Sequence, residues 1–192
     1  LVRSRGLGDV YKRQALKIAS TNMMALHGKK GALIALKRWE DHISVCNTIV
    51  RYDPADWKTW REMAYSYMEL GMNDEASYAL GKAMEVSRHT SLHIALSRCS
   101  LAKKKAPEAK AWIDKGLSLE PSNPELYLER ARLHIKLNEP EIGLKDLDVA
   151  LNINHRFREA LMLKGNTLRS IYQADPEIEK GTIRLEQAIE CY

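Results

Sequence analysis

The chain is poor in the residues that break helices or build strands. Its 192 residues include 10 glycines, 6 prolines and a single phenylalanine, and it lacks the β-branched and aromatic runs that mark strands. Alanine, leucine, lysine, glutamate and arginine dominate, and these residues favour helices. With 45% hydrophobic and 29% charged residues, the composition is that of a folded globular chain. The sequence therefore predicts an all-α protein of one domain or one short repeat array.

Long hydrophobic runs and paired cysteines are also missing. No apolar run approaches the roughly 20 residues that a membrane-spanning helix requires, so we expect no membrane span. The cysteines are odd in number and widely separated, at Cys46, Cys99 and Cys191. Such spacing argues against a disulfide framework and against a cysteine-based zinc site. It favours inert thiols in a reducing compartment such as the cytoplasm, although the sequence does not fix the compartment.

The first fourteen residues have no helical periodicity and differ from the rest of the chain. The stretch Asp9–Gln14 resembles the translated end of a transposon of the kind used to prepare sequencing libraries. We interpret residues 1–14 as a non-native adapter, disordered or fused to the first helix; a native basic tail is the alternative. This segment carries +3 of the formal net charge of +5, which leaves +2 and removes the main argument for nucleic-acid binding. Because no Met opens the chain, we expect its native start to be missing.

Beyond that segment, the sequence repeats itself with a period of about 34 residues. Pro54 and Pro121 lie two periods apart, and Trp60 and Tyr127 share that offset. The same offset relates small and apolar residues: Ala64 with Ala131, Leu80 with Leu147, and Ala83 with Ala150. A middle copy lies one period before Gly143, Leu147 and Ala150, at Ala109, Ile113 and Gly116. Within a copy, apolar residues recur at i, i+4 and i+7, the spacing of one helical face.

This arrangement resembles the tetratricopeptide-repeat family, in which a repeat of about 34 residues forms a helix–turn–helix unit. In that family a large residue lies early in the first helix, small residues lie where the helices cross, and a proline closes the repeat. One copy reads Trp60, Ala64, Tyr67, Ala76, Leu80, Ala83 and, in place of the proline, Arg88. The resemblance covers residues 23–192 and implies an all-α fold, a right-handed α–α superhelix or solenoid of stacked helix pairs.

The period divides the chain into five repeats: 15–55, 56–89, 90–122, 123–156 and 157–192. The first repeat is degenerate, because Gly28 and Gly31 weaken its first helix. In the fifth repeat Ala188 lies four positions beyond the place that one period after Ala150 predicts, and we assign the extra residues to a loop at 172–176. We also expect this repeat to be truncated, since arrays of this kind end in a capping helix with a polar outer face.

Local signals predict where the helices begin. Asp56 and Asn123 are placed to cap the first helices of two repeats. Pro107 and Pro140 are placed at the start of second helices, where a proline is well tolerated. The stretch Asn73–Glu75 fills the same role in the second repeat.

We find no motif that carries catalysis or binds a cofactor. The stretch Gly28–Gly31 holds two lysines but lacks the spacing of a phosphate-binding loop. His89 and His93 have a spacing that zinc can use, yet no third ligand is near and His89 falls in a turn, so we interpret both as surface or packing residues. Asp146 and Asp148 are two positions apart and face different sides of a helix. We expect neither enzymatic activity nor a cofactor or metal.

The resemblance also indicates a binding surface, because the first helices of successive repeats line the concave face in this family. Residues one and five positions after Trp60 and its equivalents should face inward. The candidate groove consists of Lys58, Arg61, Tyr65, Arg98, Arg132, Asn166 and Arg169, beside Ile94, Leu128 and Met162. Arg98 and Arg132 should lie about 10 Å apart on neighbouring helices. Arginine forks suit carboxylates, which predicts a peptide ligand with acidic residues; the alternative is a solvated face whose arginines pair with Glu62 and Glu129.

The leading hypothesis is an interaction scaffold whose partner is a protein or peptide. Some family members hold a carboxyl terminus in a lysine–asparagine clamp, which Asn166 and the arginines match only in part, so we do not expect that clamp here. One alternative is the repeat region of a larger enzyme, such as a glycosyl- or sulfotransferase, whose catalytic domain is missing. Another is an assembly factor or lipoprotein of a bacterial envelope. The full open reading frame would discriminate among these, and the sequence does not indicate an oligomeric state.

Overall fold

The computed structural model describes residues 22–174, and all regular structure in that range is helical. Helix α1 comprises residues 22–35. The helices that follow are α2 (Trp39–Tyr52), α3 (Trp57–Glu69), α4 (Asn73–Val86), α5 (Thr90–Ala102), α6 (Ala106–Leu119), α7 (Pro124–Lys136), α8 (Pro140–Ile153) and α9 (Arg158–Ala174). The predictions for residues 1–14, for Cys191 and for the end of the fifth repeat lie outside the described residues.

The helices fall into two compact units, which divide between Arg88 and His89. In the first unit α2 packs on α3, and α3 packs on α4. In the second unit each helix from α5 to α9 packs on the next, while α5 also contacts α7 and α7 contacts α9. The first helices of consecutive pairs are therefore neighbours in the second unit.

The turn inside each helix pair has the same backbone conformation. A positive φ recurs once in each of the first four repeats, at Lys37 (54°), Gly71 (76°), Lys104 (59°) and Asn138 (63°). In the second of these turns the N–H of Met72 donates to the carbonyl of Tyr67 at 2.8 Å, and the other turns contain the equivalent bond. This left-handed residue with its backward hydrogen bond is a common helix terminator, and it satisfies carbonyl groups that the helix end leaves open.

The predicted helix starts are confirmed. Asp56 Oδ1 accepts a hydrogen bond from the N–H of Thr59 at 3.1 Å, and Asn123 Oδ1 accepts one from the N–H of Glu125 at 3.0 Å. Helix α8 begins at Pro140, and Pro107 is the second residue of α6.

The loop predicted at 172–176 is wrong for its first three residues, which form the end of α9. This helix has 17 residues, whereas α3, α5 and α7 have 13 each. The physical reason lies in the sequence, because a proline disfavours the helical conformation of the residue before it, and residues 172–174 lie further upstream of Pro176. The extra residues therefore lengthen a helix, at least as far as Ala174.

Small residues are buried where the paired helices meet, as the repeat pattern predicts. Ala64, Ala83, Ala131 and Ala150 are each at most 1% exposed. The helices also approach closely at Gly143 of α8, where an added Cβ would lie 2.9 Å from Cγ1 of Ile135 and 3.1 Å from the carbonyl oxygen of Ala131. Helix α8 thus lies against the backbone of α7 with no room for a methyl group.

One interface departs from this apolar pattern. In the first unit Lys30, His42, Cys46, Thr59 and Ser66, which we call the polar cluster, are all 7% exposed or less. The Nζ of Lys30 donates to Oγ1 of Thr59 at 2.7 Å. The Oγ of Ser66 lies 2.8 Å from Nδ1 of His42, and the Sγ of Cys46 lies 3.4 Å from Nε2 of the same ring. Hydrogen bonds therefore connect α1, α2 and α3 where apolar contacts are the rule.

The polar cluster occupies positions that later helix pairs fill with small or apolar residues. Lys30 lies one period before Ala64, and His42 lies one period before Ala76. Two periods after Thr59 and Ser66, helix α7 holds Leu126 and Leu133. At this junction, polar residues thus stand where the later helices compared here hold alanine or leucine.

Burial sets the protonation of two members of the polar cluster. It lowers the pKa of His42 and raises the pKa of Cys46 to about 12. At neutral pH the cluster therefore holds a neutral imidazole and a protonated thiol.

We predict that the first unit loses stability as the pH falls below 6.5. Burial, and to a smaller extent Lys30, lowers the pKa of His42 from its usual 6.5, and Glu62 opposes this only in part. Below that pH the unfolded chain therefore binds a proton that the folded unit excludes. The loss has a limiting slope of about 1.4 kcal/mol per pH unit.

Urea unfolding at several pH values, followed by fluorescence in a Trp112→Phe background, would measure this effect. The three remaining tryptophans then all lie in the first unit. His42→Gln removes the titrating group, so its unfolding free energy should depend less on pH. An identical pH dependence in both proteins would contradict the prediction.

Two glycine substitutions should have opposite effects on stability. Gly81→Ala places a methyl in open space and should raise the free energy of unfolding by about 0.5–1 kcal/mol through helix propensity. Gly143→Ala brings the same gain in helix propensity, but its methyl group pushes α8 away from α7. We therefore expect the free energy of unfolding to fall by about 1 kcal/mol. Urea unfolding monitored by circular dichroism checks both predictions. Equal stabilisation by the two substitutions would show that α7 and α8 can move apart to admit a methyl group without loss of stability.

Candidate functional site

In the second unit, Arg98 and Arg132 meet on a single carboxylate. Arg98 of α5 and Arg132 of α7 are one period apart in sequence and lie on neighbouring first helices. Arg98 Nε donates to Oε2 of Glu129 at 2.8 Å, and its Nη2 donates to Oε1. Arg132 Nη1 donates to the same Oε1 at 2.9 Å. The structure therefore brings together the two arginines that the sequence places in the groove.

The three side chains differ in depth. The Glu129 side chain is 8% exposed, whereas those of Arg98 and Arg132 are 47% and 40% exposed. The carboxylate thus lies beneath the guanidinium groups, which face solvent, and the three groups together carry a formal charge of +1. Pairing with Glu129 was the alternative that the sequence left open, whereas Glu62 pairs with Lys30, at 2.8 Å.

Asn166 and Arg169 lie together on α9 in the same unit. Both side chains are exposed, and Nη2 of Arg169 donates to Oδ1 of Asn166 at 3.2 Å. Asn166 follows Arg132 by one further period and so continues the same row of positions. At α9 the row therefore holds an amide in place of an arginine.

Two of the residues expected to face inward are buried instead. Ile94 is 8% exposed and Leu128 is 5% exposed, whereas Met162 is 46% exposed. Leu128 belongs to an apolar cluster with Ala131 and Leu147. The expectation that Ile94 and Leu128 are open to a ligand is wrong, because they fill space between helices.

In the first unit, the candidate residues of α3 are associated with aromatic rings. The Nζ of Lys58 and the Cζ of Arg61 lie 5.8 Å and 5.6 Å from the ring centre of Trp57, within range of a cation–π contact. Tyr65 is 43% exposed and meets Trp39 edge-on, with ring centres 5.7 Å apart. Sequence reasoning identified the basic residues and the tyrosine but missed both tryptophans, whose signal was their place at the start of α2 and α3.

A second arginine on α7 has a structural role. Arg130 forms a two-pronged ion pair with Asp146 of α8, at 2.7 Å and 3.0 Å, and this hydrogen bonding raises the pKa of its guanidinium. Asp148 points elsewhere and pairs with Lys164 of α9 at 2.9 Å. The prediction that the two aspartates face different sides is confirmed. Arg130 joins α7 to α8 and is not part of the exposed row.

The histidines and cysteines have structural surroundings. Nδ1 of His89 accepts a hydrogen bond from the N–H of Ser91 at 3.2 Å and so caps α5, while His93 is 1% exposed and packs against Trp112. Cys46 and Cys99 are both buried. Among residues 22–174 no group of three or more histidine, cysteine or acidic side chains could hold a metal ion. Within the same range no helix combines the length and the apolar character needed to span a membrane.

Comparison with known proteins identifies a related repeat protein. No protein-family model matches the chain. It is 28% identical over 162 residues to the TPR repeat-containing protein YpiA of Bacillus subtilis (strain 168), and the match takes in 84% of this chain and 37% of that protein. The chain thus spans little more than a third of YpiA.

Solved structures show the same fold at low identity. TTC0263, a thermophilic TPR protein of Thermus thermophilus, aligns with a TM-score of 0.68 at 16% identity, over 88% of this chain and 99% of that one. YrrB, described as a TPR protein with an unusual peptide-binding site, aligns with a TM-score of 0.56 at 15% identity, over 84% of this chain and 82% of its own.

These likenesses agree with the internal features of the molecule. Helix pairs recur with one type of turn in each period, and small residues are buried at the helix contacts. The predicted all-α fold class, a solenoid of helix–turn–helix repeats, is confirmed. The chain has the fold of tetratricopeptide-repeat proteins and resembles them in sequence.

Proposed function

We propose that this protein is an interaction scaffold that binds an extended, acidic segment of a partner protein on its first helices. The observation that carries the proposal is the pair of solvent-facing arginines, Arg98 and Arg132, on neighbouring first helices of the second unit. Paired guanidinium groups favour carboxylate ligands because they offer several N–H donors in a planar fork. The proposal assigns binding to this surface and no chemistry to the described residues.

The charge of the candidate residues sets the expected character of the partner. Five of the seven candidate residues are basic and none is acidic: Lys58, Arg61, Arg98, Arg132 and Arg169. A surface with one sign of charge attracts partners of the other sign and excludes those of like sign. An acidic segment is therefore the partner that the basic residues of each unit, taken separately, fit best.

The first unit supports the same proposal with different chemistry. Tyr65 and Trp39 offer ring surface beside the basic residues Lys58 and Arg61. Aromatic residues and arginine are enriched at the energetically important positions of protein interfaces. The solved structure of YrrB supports a peptide-binding role through fold alone.

Charge reversal on the first helices should abolish binding of acidic peptides. We expect Arg98→Glu with Arg132→Glu to weaken binding of a glutamate-containing peptide by at least about tenfold, because like charges then oppose each other. Fluorescence anisotropy with a labelled peptide, and with a glutamine version of it, measures the effect and its dependence on charge.

A matched control is available on the second helices of the same unit. Lys110→Glu with Lys145→Glu introduces the same change in net charge at exposed sites on α6 and α8. This control should bind within about threefold of the unsubstituted protein, apart from long-range effects that salt screens. Equal losses in both double variants, or no binding of acidic peptides by the unsubstituted protein, would refute the proposed function.

A further inference from the structure

We propose that Glu129 positions Arg98 and Arg132 as one subsite for a single carboxylate of the bound peptide. This inference rests on the proposed function and deepens it, because it assigns a buried acidic residue to the binding of an acidic ligand. Glu129 is a positioning residue in this proposal, since the ligand contacts the arginines.

The first step is geometric. Arg98 Nη2 and Arg132 Nη1 both donate to Oε1 of Glu129. Two nitrogen atoms that share one oxygen acceptor are no more than about 6 Å apart, the sum of two hydrogen-bond lengths. One incoming carboxylate, with two oxygen atoms, can span that separation and contact both guanidinium groups.

The second step concerns depth and freedom. Glu129 holds both arginines from the buried side, and their side chains stay 47% and 40% exposed on the other. A free arginine side chain has rotamer entropy, which a ligand must otherwise remove on binding. Because Glu129 has already restricted both side chains, the arginines meet the ligand in a prepared arrangement.

The third step is charge. Two guanidinium groups and one carboxylate leave a formal +1, which one further carboxylate neutralises. A doubly charged phosphate group would leave the subsite with excess negative charge, next to the buried carboxylate. The subsite therefore fits an aspartate or glutamate side chain, and we assign it to that class.

The fourth step is the place of Glu129 in the repeat. Its equivalents in the second unit are Ala95 of α5 and Leu163 of α9, each one period away. Only α7 in this unit combines an acidic residue at that position with an arginine on its own helix and another on the preceding first helix. Among α5, α7 and α9 the acidic residue thus occurs where the arginine pair occurs.

Removal of Glu129 separates positioning from simple attraction. Glu129→Ala makes the surface more positive, so attraction alone predicts tighter binding of an acidic peptide. Positioning predicts the opposite, and we expect the dissociation constant to rise about threefold to tenfold, the cost of fixing two side chains on binding. Glu125→Ala is the matched control, since it removes the same charge from an exposed site one turn earlier on α7. Glu125→Ala should leave binding unchanged or slightly tighter.

The probes are three synthetic peptides that differ at one central residue, which is glutamate, glutamine or phosphoserine, in otherwise uncharged surroundings. The glutamate peptide should bind most tightly. Equal or tighter binding of that peptide by Glu129→Ala, compared with Glu125→Ala, overturns the positioning role and leaves the proposed function intact. Preferred binding of the phosphoserine peptide overturns the assignment to carboxylates. No binding of the glutamate peptide by the unsubstituted protein overturns the proposed function, and this inference with it.

A second readout needs no ligand. In the unsubstituted protein, NMR relaxation of the side-chain Nε–H of Arg98 should report an ordered group, and Glu129→Ala should make it mobile. A mobile Nε–H in the unsubstituted protein overturns the inference whatever the peptides show. Circular dichroism checks that each variant folds, and Glu129→Gln, which keeps an acceptor without the charge, should bind with intermediate affinity if the alanine variant does not fold.

Discussion

The close contact of paired helices at small residues is the constraint on which the rest of the structure depends. Gly143 leaves no space for a methyl group between α8 and α7, and Ala131 and Ala150 are fully enclosed beside it. Because such contacts recur once per period, consecutive first helices of the second unit lie next to one another. The same period separates Arg98 from Arg132. The helix contacts therefore decide which polar side chains become neighbours on the exposed side.

Neighbouring side chains on one helix have different roles in this arrangement. Arg130 and Arg132 of α7 are two positions apart, yet Arg130 pairs with the buried Asp146 of α8, while Arg132 remains at the surface over Glu129. Two buried carboxylates are thus used differently. Asp146 ties one helix to its partner, and Glu129 holds groups that stay open to solvent. We infer a binding role for the second arrangement and a packing role for the first.

The sequence predicted the elements whose signals are local. Asp56 and Asn123 cap helices through N–H groups two or three positions further on, so neither needs knowledge of the fold. Pairing partners could not be predicted in this way, because they depend on distances between helices. Glu62 of α3, for example, binds Lys30 of α1. Leu128 occupies an apparently inward position but fills the core, since helical periodicity gives the direction of a side chain and not the depth of the surface around it.

The polar cluster has a consequence for how this array could be rearranged. The next helix pair offers Ala64 and Ala76 where α1 and α2 offer Lys30 and His42, and those apolar side chains would remove the hydrogen-bond partner of the enclosed Ser66 of α3. The first pair is therefore not interchangeable with its successors. Duplication or shuffling of units along the gene would therefore cost more folding stability at this junction than among the later pairs. The polar contacts thus fix which helix pair can precede α3.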